Sequence, residues 1–89
     1  MVNIYLDMEM METIDEAKRH LNEVLKPEEP FSGNLDVLYE YLSEVGKPTH
    51  FSLVNADGVP LESPAFTSRV IGMFQKAADA NPNIKIELL

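Results

Sequence analysis

The chain contains no cysteine, which removes a disulfide scaffold, a thiolate nucleophile and a Cys-ligated zinc from the possibilities. Glycine is scarce at four residues, none of them in a P-loop or dinucleotide-binding pattern. Positive charge is scarce too: seven Lys and Arg stand against fifteen Asp and Glu, a net charge of −8. Apolar runs are short, far below the roughly 20 residues a membrane-spanning helix needs. The opening Met1-Val2-Asn3-Ile4-Tyr5-Leu6-Asp7 lacks a basic start and the apolar length of a secretory signal, so a cytoplasmic location is expected. What is present suffices for one small folded domain over residues 1–89, with 45% apolar residues to build its core.

The acidic excess is confined to one half of the chain. Residues 1–46 carry eleven acids and three bases, a balance of −8, whereas residues 47–89 carry four of each. Between Pro27 and Gly46 there are five carboxylates and no Lys or Arg. Such a segment repels nucleic acid, whose binders must offer positive charge to phosphates. It attracts a basic partner instead.

Val2, Ile4 and Leu6 alternate with Asn3 and Tyr5, the period of a strand with one buried face. Thr13 with Glu16 three residues on forms a capping-box pattern, and a helix follows to about Leu25 with Ile14, Ala17, Leu21, Val24 and Leu25 on its apolar side. Pro27 ends it. Pro27 to Gly33 reads as a loop, and Asn34 as the cap of a second helix whose stripe is Leu35, Leu38, Leu42 and Val45, closed by Gly46-Lys47-Pro48. Thr49–Val54 reads as a strand burying Phe51 and Leu53, followed by a turn at 55–58. Ser63-Pro64 suits the start of a third helix with Phe66, Val70, Met73, Phe74 and Ala77 inward. Asn81-Pro82 closes that helix, and Ile84, Ile86 and Leu88 give a last strand. The order β-α-α-β-α-β, with alternating rather than solidly apolar strands, predicts a two-layer α/β fold: a three-stranded parallel sheet with its helices on one face.

The second helix carries a difficulty. Asp36, Glu40 and Glu44 are spaced by four, and like charges at that spacing cost an isolated helix about 0.2–0.5 kcal/mol per pair. Asp36 is favoured by the helix dipole in the first turn, but Glu40, a turn further in, gains nothing from it. Tyr39 and Ser43 complete an outward face of acid, aromatic, acid, hydroxyl, acid. A solvated face that adds only solubility is the bland account.

The segment Ser32-Gly33-Asn34-Leu35-Asp36-Val37-Leu38-Tyr39-Glu40-Tyr41-Leu42 resembles the signature of the barstar family, small intracellular protein inhibitors of ribonucleases. Val70-x-x-Met73-Phe74-x-x-Ala77, followed by Ile84-x-Ile86-x-Leu88, is similar to that family's last helix and strand. The resemblance implies that the acidic loop and second helix, about residues 28–44, block the active site of a small basic, barnase-type ribonuclease, one to one and as a monomer. The partner-binding residues it implies are Phe31, Gly33, Asn34, Asp36, Tyr39, Glu40, Ser43 and Glu44. The chain departs from the family pattern at several positions, among them Tyr39, usually Trp, and Ser43, usually Thr. Gly33 and Asn34 are adjacent where the family has one residue between them, Glu40 replaces an Asp, and Lys76 and Ala80 replace interface acids on the last helix. The alternative is an acidic interaction module of the same fold that inhibits no ribonuclease.

Enzymatic chemistry is not expected. Glu16 and His20 share a helical face without the further ligands a metal needs, so a surface pair is the simpler account. His50 opens the second strand, and no triad can be assembled around two histidines. Met8, Met10 and Met11 read as flexible core filler. No cofactor, nucleic acid or membrane partner is implied.

Overall fold

A computed structural model of the protein describes residues 2–56, 59 and 65–89. Three strands, β1 (Val2–Asp7), β2 (Thr49–Val54) and β3 (Ile84–Leu88), form one parallel sheet in the order β1-β2-β3. Between them lie α1 (Ile14–Leu25), α2 (Leu35–Ser43) and α3 (Phe66–Ala80). Strands in sequence order, each joined to the next by a right-handed crossover, place every connecting helix on the same side of the sheet. The fold is therefore two-layered. Ile4, Phe51 and Ile86 are aligned across the three strands on the helical side, with Leu6 and Leu53 forming the next row. On the opposite side Tyr5 is exposed, and His50 Nε2 lies 3.4 Å from the Glu87 carboxylate.

The core is built from these rows and the helical stripes. Phe51 and Phe74 meet edge to face, with centroids 5.2 Å apart, and Leu21, Leu42, Val70 and Ile71 are completely buried. Burying each such side chain contributes about 1.5–3 kcal/mol. In α2, Leu35, Leu38 and Leu42 are buried as their spacing requires; the helix ends at Ser43, so Val45 packs on the core from the turn beyond it. Ile14, placed on the apolar stripe of α1 by its spacing, is half exposed at the helix start.

Local chemistry sets the boundaries. The Thr13 hydroxyl accepts the Glu16 N–H at 3.2 Å and donates to the Glu16 carboxylate at 3.1 Å, so the capping pair joins hydroxyl to carboxylate. Lys26 ends α1 in the left-handed conformation, φ 47°, donating its N–H to the Asn22 carbonyl. Pro27 disfavours the right-handed α conformation in the residue before it, and the left-handed cap is the remaining compact way to close the last turn. After β1 the chain makes a 3-10 turn, Met8–Met11, capped by the Asp7 side chain. Met8 and Met11 are core residues, whereas Met10 is exposed. The helix start predicted at Ser63-Pro64 lies outside the described residues, as does the second half of the turn at 55–58. No helix among the described residues is long and apolar enough to cross a membrane.

Candidate functional site

The loop between α1 and α2 is fixed by one side chain. Asn22, in the last turns of α1, accepts the Phe31 N–H at 2.6 Å and donates to the Phe31 carbonyl at 3.1 Å. An amide side chain that satisfies both polar groups of one residue replaces the backbone ladder the prolines deny, so the loop closes without secondary structure. Phe31, expected at the partner surface, is thereby held 5% exposed and belongs to the core. A benzyl group next to a helix-sheet core gains more from burial than it would at a loop tip.

Gly33 follows with φ +101°, where a Cβ would stand 2.7 Å from Cγ2 of Ile14. Its role is this close approach to the start of α1, for which only glycine has both the backbone freedom and the space. Asn34 then caps α2, its side chain accepting the Asp36 N–H at 2.8 Å.

Along α2 the predicted residues diverge. Asp36 is exposed in the first turn beside a cleft of about 340 Å³ between α2 and α3, which Arg69, Met73 and Lys76 line from the other side. Tyr39 is half-buried against the core, and Lys76 Nζ stands 5.1 Å from its ring centroid, within cation–π range. The outward aromatic of the sequence pattern is thus covered by a base from α3. Glu40 and Glu44 turn the other way, toward a groove between α1 and α2 that Glu28 and Glu29 also border. A four-residue step advances about 40° round a helix, so three acids that look stacked in sequence reach two different concavities. Ser43 is exposed, but its hydroxyl donates to the Glu40 carbonyl at 2.8 Å and closes the helix end.

Among the described residues the one contact at ion-pair distance is that of His50 with Glu87, so the carboxylates of Asp36, Glu40 and Glu44 have no Lys or Arg partner within 4.0 Å. Unpaired acids on a helix are a cost to folding and a ready charge for a ligand. Among the described residues no group of three or more His, Asp or Glu could hold a metal ion.

Two side chains do work that spacing could not show. His20, expected in a surface pair with Glu16, instead accepts the Asp7 N–H through Nε2 at 2.9 Å and ties α1 to the end of β1. Asn81, only 7% exposed, donates to the Leu42 and Val45 carbonyls, each at 3.0 Å, and accepts the Asn83 N–H. It satisfies the open carbonyls at the end of α2 from the end of α3 and so holds the acidic helix against its neighbour. No protein-family model matches this chain, and no curated protein matches it either.

Proposed function

We propose that the protein inhibits a small basic, barnase-type ribonuclease by laying the acidic loop and α2, about residues 28–44, over the nuclease active site. The observation that carries this reading is the set of exposed, unpaired carboxylates on α2, in a segment similar to the barstar signature. A nuclease active site is built to hold phosphates, so carboxylates held at fixed spacing on a rigid helix compete for the same positive pockets. Asp36 and Glu40 would supply those charges, Asn34 and Ser43 would keep the helix ends in place, and Gly33 would set the loop. Phe31 supports the loop from inside.

A second reading has its own support. Lys76 over the Tyr39 ring and Arg69 across the cleft from Asp36 put positive charge on the α3 side of the surface, which opposes a basic partner there. An acidic protein-interaction module of this fold that inhibits no ribonuclease accommodates that arrangement.

The test is Glu40→Gln, measured for inhibition and for melting. If Glu40 enters a phosphate pocket, losing one member of a desolvated, hydrogen-bonded charge pair costs about 2–5 kcal/mol of binding, at least about 30-fold, and shows in the off-rate. Folding should gain a few tenths of a kcal/mol, since two like-charge pairs, with Asp36 and with Glu44, are relieved. Strongly weakened inhibition with an equal or higher melting temperature supports the reading. Unchanged one-to-one inhibition removes Glu40 from the site, and no inhibition of any such ribonuclease by the native chain favours the second reading.

A further inference from the structure

The larger of two concavities beside α2 has an acidic rim and an apolar interior. It measures about 1010 Å³ and lies between α1 and α2, above the start of the sheet. Its interior is apolar, with Ile4, Leu25, Val37, Tyr41 and Val45 among its walls. Ile4, Leu25, Tyr41 and Val45 are partly buried hydrophobics packed against the core. The helix packing explains why the space is there: α2 lies against α3, and α1 against β1 and the 3-10 turn. In a two-layer fold the helices cover one sheet face, and here that covering is interrupted by a trough beside α2. Its α2 wall runs from Val37 to Glu44, about 11 Å at 1.5 Å per residue, enough for about two turns of another helix.

We propose that this groove docks a short basic amphipathic helix of a protein partner. Apolar side chains spaced three and four apart would enter the trough, and Lys or Arg on the flanks would meet the rim. Charge complementarity selects this occupant. The rim holds Glu28, Glu29, Glu40 and Glu44 against one base, Lys47. A second copy of this chain would bring a surface of net charge −8 to an acidic rim, and an anionic lipid surface is repelled in the same way. The inference goes beyond the ribonuclease reading: the two surfaces share Glu28, Glu29, Glu40 and Glu44, but the element recognised here is an apolar helix face in the trough, not a phosphate site.

The test uses the full chain and fluorescent model peptides about 12 residues long, read by anisotropy at constant salt. One peptide is an amphipathic Leu/Lys helix, one the same pattern with Glu for Lys, and one a Lys/Ser sequence with no apolar face. The Leu/Lys peptide should saturate at one per chain, with the other two at least tenfold weaker. The double substitution Glu28→Lys, Glu44→Lys changes only exposed side chains and should reverse the preference toward the Leu/Glu peptide. Lys/Ser binding as tight as Leu/Lys would reduce the groove to bulk electrostatics and overturn the proposal. So would equal binding of Leu/Glu, a preference unmoved by the double substitution, or a dimer of the protein alone that the Leu/Lys peptide fails to disperse.

Discussion

Replacing Asn22 with alanine isolates the contact that shapes the loop. Asn22 makes two hydrogen bonds to the Phe31 backbone, at 2.6 and 3.1 Å, and both are partly buried. At a net 0.5–1.5 kcal/mol each, their loss costs about 1–3 kcal/mol, since both Phe31 groups are then left short of a partner. For a domain of this size each kcal/mol lowers the melting temperature by about 4–8 °C, so Asn22→Ala should melt about 10 °C lower. Asn22→Asp separates the two bonds: the acceptor for the Phe31 N–H remains, while the donor to the carbonyl is replaced by a carboxylate that repels it. Melting followed by circular dichroism, together with hydrogen exchange of the Phe31 amide, gives the readout. In the native chain that amide should exchange slowly although it lies in a proline-flanked loop, and in Asn22→Ala its protection should fall more than that of the β2 amides. Asn22→Ala melting within about 2 °C of the native protein, with the Phe31 amide still protected, would refute the assignment of Asn22 as the loop anchor.

Three other outcomes follow from the same structure. Leu38 is 2% exposed, so Leu38→Ala should destabilise the fold by about 2–5 kcal/mol in chemical denaturation; a loss below about 1 kcal/mol would contradict its burial. Reversing Glu28 and Glu29 to Lys should slow association with a basic ribonuclease and leave dissociation nearly unchanged, and the native on-rate should fall steeply with salt; a flat salt dependence in stopped-flow measurements would exclude steering. The hydrogen bond from the Asn55 side chain, and then that from the Glu9 N–H, hold the Asp7 carboxyl below its ordinary value of 3.8. A carboxyl whose native pKa is depressed adds stability above its unfolded value that is lost as the pH falls through the native one. Asp7→Asn should therefore flatten the fall in stability below pH 3.8, and an unchanged acid slope would show the bond to be energetically silent.

Most of the fold was legible because periodicity is local. Alternation at Val2, Ile4 and Leu6 and the three- and four-residue steps at Leu35, Leu38 and Leu42 report one buried face each, and caps such as Thr13 and Asn34 act within three residues. The burial of Phe31 is not legible, because nothing nearby marks it as internal; its anchor, Asn22, sits nine residues earlier in a helix where an asparagine looks unremarkable. His20 escaped for the same reason, since its acceptor role depends on where β1 ends relative to α1. The acids of α2 were legible as exposed and unpaired within their helix. Their division between a cleft on the α3 side and a groove on the α1 side was not, because it depends on how three helices share one sheet face.

The sequential parallel sheet has a consequence for the chain before it is folded. Val2 pairs with Thr49, and Thr49 in turn with Ile84, so no strand finds its neighbour until a helical crossover has formed. During that interval the apolar alternation of β1 lacks its native cover, and parallel topologies of this kind fold slowly enough for such segments to meet one another. The first 46 residues carry the whole net charge of −8. Incomplete chains therefore repel each other while β1 waits for β2, and the acidity of this half serves in the nascent chain as a guard against self-association.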